Sequence, residues 1–455
     1  MYVWNRGQTL AIAALLKVAR PGIITFSGGA EATADLSGVL ADPAMDFVLP
    51  GEGEEIIVEA VQRLLRGDSP QAIAAWAQPA PVKDLTGLPS PYLDGTLRPE
   101  DYGGALWELS RGCPFTCDFC FEARGTAGTR RIPLARVEAE LELFEARGIR
   151  EVFVLDPTFN YHKVQAKQVL RLIAAKAPTT HFFFEARSEF LDAEMAGLFA
   201  AIHCTLQIGL QSAHDDVLRN ISRSFDPEDF EAKILLLHQV GVPYGFDLIY
   251  GLPGDTLDGF RASVDFAMGL VPNHLDVFRL SVLPGTRLAE TAAGLGLAHE
   301  SSNPYRVLAS PTFGPEDLAQ AARIAEGCDV LYNRGRAVPW FGMLLEPLGL
   351  RPSEVFEAFA TWLDTHPVPH PIEAQRACFR ELFDAQDDAL LGGAGRRCDR
   401  VFRLFSGGAG GTRRRGCLAG LPHPLPARPQ GAHGRDRGGN RGPGGTGLQR
   451  PRSNL

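Results

Sequence analysis

No apolar run in the chain approaches eighteen residues, so a hydrophobic membrane-spanning helix is not expected. The stretch from Met1 to Leu16 places only Arg6 ahead of apolar residues and offers no small-residue cleavage site. A secretory signal is therefore not expected, and the cytoplasm is the expected compartment. Eight cysteines in 455 residues are too few for a disulfide framework and suggest a reducing environment. Neither a Gly-x4-Gly-Lys-Ser/Thr phosphate loop nor a His-Glu-x2-His zinc helix occurs. The histidines are scattered, and His203 and His238, with apolar neighbours, read as packing or surface residues.

What is present reads as a globular protein, with 45% hydrophobic, 22% charged and 9% aromatic residues and room for two or three cores. The net charge of −9 hides two unlike parts. Residues 392–455 hold 13 Arg, no Lys or Glu, and only Asp399 and Asp436 as acids, which gives them +11 and leaves −20 on residues 1–391. An acidic body argues against nucleic acid as a specific partner.

The expected fold class is α/β, in five zones. Residues 1–65 open with a helical pattern (Leu10, Ala14, Leu15, Val18), followed by two short strands. Ile23–Phe26 ends in Ser27-Gly28-Gly29, and Phe47–Leu49 ends in Pro50-Gly51-Glu52-Gly53-Glu54, with helical spacing from Ile56 to Leu64. Strands that run through glycine loops into helices are half-units of a doubly wound sheet, which in full has about five or six strands, so this domain reads as partial. Residues 66–104, rich in Pro, Gly and Asp, read as a linker. Residues 105–290 alternate, with expected strands at 105–111, 151–156, 181–187, 204–211, 243–250 and 276–283 and helices between them. Six successive β/α units predict a curled parallel sheet, a partial (β/α)6 barrel, with ligands at the carboxyl ends of its strands. Residues 291–390 read as helical. Residues 391–455, with 17 Gly among the last 64 positions, bury too little to order and have the composition of an out-of-frame reading of GC-rich DNA.

The strongest signal is Ser110-Arg111-Gly112-Cys113-Pro114-Phe115-Thr116-Cys117-Asp118-Phe119-Cys120, a Cys-x3-Cys-x2-Cys loop directly after the first barrel strand. A structural zinc site wants four ligands, usually in two close pairs. Three thiolates on one loop, with Cys204, Cys328 and Cys378 isolated, suit a four-iron, four-sulfur cluster that leaves one iron open.

On this loop the chain resembles the radical S-adenosylmethionine (SAM) enzymes, specifically their cobalamin-binding subclass, over roughly residues 1–370. The resemblance implies a partial (β/α)6 radical SAM barrel, preceded by a partial doubly wound cobalamin-binding-like domain and followed by a helical region. It implies Cys113, Cys117 and Cys120 as cluster ligands, SAM on the open iron, and reductive cleavage of SAM to methionine and a 5′-deoxyadenosyl radical. The cofactors carry such chemistry, and the protein supplies placement. Among SAM contacts it implies Phe119, Asp156, Glu185, Gln211, Arg223 and Gly251. Asp156 also fits a turn or cap, and Glu185 could pair with Arg187. Gln211 and Arg223 also fit solvated polar residues. Gly251, in Gly251-Leu252-Pro253-Gly254, would let backbone approach adenine. For cobalamin it implies Ser27, Gly28, Gly29 and Gly51, although the Asp-x-His-x-x-Gly loop of many such domains is absent.

The expected activity is cobalamin-dependent methyl transfer to an unactivated carbon. A radical cyclisation, oxidation or rearrangement, or an inactive truncated remnant, are the alternatives. Expected partners are a small-molecule or peptide substrate and an electron donor such as flavodoxin or ferredoxin, with no membrane.

Overall fold

The computed structural model describes residues 1–122, 128–366 and 370–387. The expected tail at 391–455 lies outside them. Six parallel strands form the central sheet: β3 (Ala105–Trp107), β6 (Glu151–Val154), β7 (His181–Ala186), β8 (Cys204–Gln211), β9 (Tyr244–Tyr250) and β10 (His274–Arg279), adjacent in chain order. A sequential, all-parallel order is the order of a curling barrel rather than of a sheet wound from its middle.

Strand alternation fixes the two faces. On β7, Phe182, Phe184 and Ala186 are buried against helices, while His181, Phe183 and Glu185 face the lumen. The outer layer consists of α6 (Leu134–Ala146), α7 (Lys163–Lys176), α8 (Ala193–Ala200), α10 (Pro227–Val240) and α11 (Leu257–Gly269), with the short α9 (Asp215–Arg219) before α10. Local signals set their ends. The Asp226 side chain accepts from the Glu228 and Asp229 amides, Pro227 takes the first turn, and Gly241 closes α10 in the left-handed region. One apolar core runs from Val82 to Phe379, so the helical region α13 (Pro315–Gly327), α14 (Phe341–Leu348), α15 (Pro352–Thr365) and α16 (Pro371–Asp387) is continuous with the barrel. Trp107 at its centre donates Nε1 to Glu140 Oε2 at 2.7 Å, and Arg136 pairs with the same carboxylate at 2.8 Å.

The front segment keeps two small cores of its own. It comprises α1 (Arg6–Ala19), β1 (Phe26–Gly28), α2 (Ala30–Ala34), α3 (Leu36–Leu40), β2 (Phe47–Leu49), α4 (Gly53–Leu65) and α5 (Pro70–Trp76), with β1 and β2 parallel. Four expectations shift. The strand expected at Ile23–Phe26 starts only at Phe26, because the Ile23 carbonyl is taken by Lys17 Nζ at 2.8 Å and the Thr25 amide by Asp46 Oδ2 at 2.6 Å. The expected linker holds α5, capped by Ser69, which sends Ile73 into a front core. The last strand starts two residues early and ends four residues early, and Ser281 makes only an isolated bridge to Arg306. After α12 (Arg287–Thr291), the helical region also contains the antiparallel pair β11 (Ala298–His299) and β12 (Val307–Ala309). Among the described residues no helix is long and apolar enough to cross a membrane.

Candidate functional site

The cysteine loop leaves the barrel through a two-residue ladder, β4 (Ser110–Arg111) against β5 (Arg130–Arg131), with Arg111 opposite Arg130. Cys113, Cys117 and Cys120 are all free and half-buried. They lie within reach of one another's charge. Burial pushes the Cys113 thiol up, with Cys117 adding to it, and burial pushes Cys120 up to about 12, with Glu122 and the other two thiols adding. Among the described residues no three acidic, His or Cys side chains close on a single ion.

Several side chains hold the loop in place. The Arg187 guanidinium lies 3.9 Å from the Phe115 ring centroid, with Tyr161 and Phe190 packed beside that ring. The Asp118 amide donates to the Ile221 carbonyl at 3.1 Å, and Ser222 Oγ donates to Asp118 Oδ1 at 2.8 Å. Phe119 packs against the barrel core.

The residues expected to meet SAM fall into three groups. Arg223 and Gln211 come together around Gly209. Arg223 Nη2 donates to the Gly209 carbonyl at 3.0 Å, and the Gln211 amide folds over the bare α-carbon of Gly209. Arg223 Nε and Gln211 Oε1 are both buried without a partner among the described residues. One free donor and one free acceptor beside the cysteine loop form an unfilled polar site, and buried polar groups cost free energy unless matched. Gln211 and Ser222 also hold φ of +61° and +58°, strain that this region maintains in non-glycine residues.

Asp156 is buried and its oxygens are already engaged. Oδ1 accepts from the Leu109 and Ser110 amides at 2.8 and 3.0 Å, and Oδ2 from Ser110 Oγ at 2.6 Å. It fixes the strand leading into the loop rather than offering a free oxygen. Gly251 has φ +84°, but a β-carbon there would meet Val307 Cγ1 at 2.8 Å and Leu318 Cδ2 at 3.0 Å. Packing against the helical region, not an open ligand cradle, requires this glycine. Glu185 does not pair with Arg187, which bonds Glu189 at 2.5 Å instead.

Glu185 belongs to a lumen cluster that sequence reasoning missed. Gln207 Nε2 donates to Asp247 Oδ1 at 2.7 Å and lies 3.4 Å from Asp276 Oδ2, and His274 bonds Asp276 at 2.8 Å. Gly245 makes the span possible, since its β-carbon would lie 2.4 Å from Gln207 Oε1. Burial, and then repulsion from Asp247 and Asp276, raises the Glu185 carboxyl; burial and Asp276 likewise raise Asp247. Opposite them Phe153 stacks on Phe183 at 4.4 Å, with Leu106 exposed nearby on β3. The available signal was parity. Glu185, Gln207, Asp247 and Asp276 all occupy lumen-facing positions, but that is visible only once the register is known.

The front loops are closed by the chain itself. A β-carbon on Gly29 would meet Met1 N at 2.8 Å, and the Met1 amine donates to the Gly28 carbonyl at 2.5 Å. A β-carbon on Gly28 would meet the Leu49 carbonyl at 3.0 Å, and Ser27 is buried with its hydroxyl 3.4 Å from the Gly28 oxygen. A β-carbon on Gly51 would meet Pro79 Cα at 3.2 Å, and the Gly51 amide donates to Thr33 Oγ1 at 2.9 Å.

Comparison with known proteins gives a consistent picture. Residues 107–267 match the family model described as the Radical SAM superfamily. The chain is 24% identical over 441 residues to 2-(S-pantetheinyl)-carbapenam-3-carboxylate methyltransferase of Streptantibioticus cattleyicolor, covering 89% of this chain and 63% of that protein. It is 26% identical over 321 residues to the cobalamin-dependent radical SAM methyltransferase TokK of Streptomyces tokunonensis, covering 63% of this chain and 47% of that one. The chain thus spans only about half to just under two thirds of these relatives' length. In fold it is similar to the radical SAM methyltransferase TsrM of Kitasatospora setae, solved with cobalamin and a 4Fe-4S cluster, at a TM-score of 0.53 and 20% identity over 68% of this chain and 65% of that one.

Proposed function

We propose that the chain is a radical SAM enzyme that binds a four-iron, four-sulfur cluster and SAM and transfers a methyl group to an unactivated carbon of a small-molecule or peptide substrate, a reading supported by the match of residues 107–267 to the Radical SAM superfamily. The observation that carries this reading is the loop of three free thiols at the carboxyl end of the first barrel strand, next to an unfilled donor and acceptor. Cys113, Cys117 and Cys120 would hold the cluster. Bound together, cluster and SAM supply one-electron reductive cleavage of the sulfonium.

The chain's own part is placement. Arg223 offers a guanidinium N–H suited to the SAM carboxylate, and the Gln211 carbonyl suits its ammonium. Phe115, Tyr161 and Phe190 wall one side of the loop against water. The lumen acids lie where a substrate would enter, and the raised Glu185 carboxyl can hold a proton near neutrality. The electron must come from outside the chain, which suits a flavodoxin- or ferredoxin-type donor.

Cobalamin fits less well. The residues expected to cradle it, Ser27, Gly28, Gly29 and Gly51, pack on the chain's own Met1, Leu49, Pro79 and Ala80. No step in this reading passes through it. That observation favours a second reading, in which SAM cleavage drives cyclisation, oxidation or rearrangement without methyl transfer. Anaerobically reconstituted protein with SAM and a reductant separates the two. Methyl transfer yields S-adenosylhomocysteine, the second reading yields 5′-deoxyadenosine alone, and neither product from cluster-loaded protein would overturn both.

A further inference from the structure

The front segment and the barrel have separate apolar cores, yet carboxylates of the front segment reach the base of the cysteine loop, and Glu52 reaches both of its arginines. Glu52, just ahead of α4, accepts four hydrogen bonds. Its Oε2 takes the Val82 amide at 2.9 Å, Arg111 Nη1 at 3.1 Å and Arg130 Nη1 at 2.9 Å, and its Oε1 takes Arg130 Nη2 at 2.5 Å.

The two arginines are what make this contact specific. Arg111 and Arg130 face each other across the β4/β5 ladder and so stand at the two ends of residues 112–129, the loop that carries all three cysteines. Like charges directly opposite on paired strands repel. Here Glu52 bridges both guanidiniums, while Glu54 and Glu108 take the remaining face of Arg111 at 2.6 and 2.7 Å. The side chains of Glu52, Arg111 and Arg130 are 21%, 20% and 17% exposed, so solvent screens this network less than a surface pair.

We propose that Glu52 is a positioning residue for the cysteine loop, closing its neck from the front segment so that the placement of the Pro50–Glu54 turn sets the placement of Cys113, Cys117 and Cys120. The meaning for a cluster rests on the function proposed above. The mechanical claim does not.

The test is amide hydrogen exchange across residues 112–122 in the full reduced chain without cofactors. Glu52→Gln keeps the side chain's shape and removes its charge. It should speed exchange there about tenfold, as the loss of charge-assisted hydrogen bonds opens the neck. Glu59→Gln, on the following helix α4 and paired among the described residues with Arg63 and Arg66, should leave the loop unchanged. If Glu52→Gln fails to fold, Arg130→Gln cuts the same contact from the barrel side and is judged on the same scale. After anaerobic reconstitution, the electron paramagnetic resonance signal of the reduced cluster with SAM should shift in Glu52→Gln at unchanged iron content. Loop exchange within about twofold of wild type would overturn the proposal, since an opened neck must raise it. A wild-type chain that takes up no iron would defeat the proposed function while leaving the exchange comparison decisive for Glu52.

Discussion

Asp156 provides a quantitative check on how the chain builds the base of its cysteine loop. Its carboxyl is raised from 3.8 to about 6, by burial first, even though three donors favour the ionised form. In the window from about pH 4 to 6 the folded state therefore holds a proton that the unfolded state has lost. Stability falls as pH rises through that window, and ionisation of the buried carboxyl costs at most about 3 kcal/mol at neutral pH. Asp156→Asn keeps a carbonyl for the Leu109 and Ser110 amides and gives Ser110 Oγ an N–H, with no charge to bury. At pH 7.5 it should be more stable than wild type by about 1–2 kcal/mol, less than the full cost because bonds to an ionised acceptor are the stronger ones. At pH 4 the advantage should vanish. Asp156→Ala leaves two buried amides unmatched and should lose about 2–4 kcal/mol at pH 4, and about 2 kcal/mol less than that at pH 7.5, where the wild type itself bears the cost of the buried charge. Urea midpoints of the three proteins at both pH values decide it. An Ala variant as stable as wild type at pH 4, or an Asn variant that gains nothing relative to wild type on going from pH 4 to 7.5, would refute the reasoning.

Three further outcomes are expected. Arg223→Lys replaces a planar fork with a point charge and should weaken SAM binding by about 1–2 kcal/mol, read as a dissociation constant on the reconstituted protein; an unchanged constant would return Arg223 to a purely structural role. Gly251→Ala must push a methyl group into Val307 and Leu318 at positive φ and should cost about 2–4 kcal/mol in a denaturation experiment, whereas a neutral result would mean that this space is open. Equilibrium dialysis with hydroxocobalamin should give binding weaker than about micromolar, because Leu49 and Pro79 stand against Gly28 and Gly51; tight binding would show that these loops open.

Much of the barrel was legible because its signals are local. Phe182, Phe184 and Ala186 alternate with His181, Phe183 and Glu185, and α10 is bracketed by Asp226-Pro227 and Gly241. The cysteine loop was equally plain, since its three cysteines sit within eight residues. Contacts between distant segments were not legible. Gln207 reaching Asp247 depends on Gly245 one strand away, and Arg187 covers Phe115 across 72 positions of sequence. Asp156 and Gly251 were placed correctly at strand ends, but their partners, Ser110 and Val307, decide what they do. The Ser69-Pro70 start of α5 was a readable helix signal hidden in a stretch rich in proline and glycine.

The central claim, that Cys113, Cys117 and Cys120 form the cofactor site, is tested most directly by their simultaneous replacement with Ala. Wild-type protein reconstituted anaerobically should carry about four irons per chain, show brown charge-transfer absorbance and cleave SAM on reduction. The triple variant should fold, bind almost no iron and leave SAM intact. Iron content and absorbance equal to wild type in that variant would contradict the account.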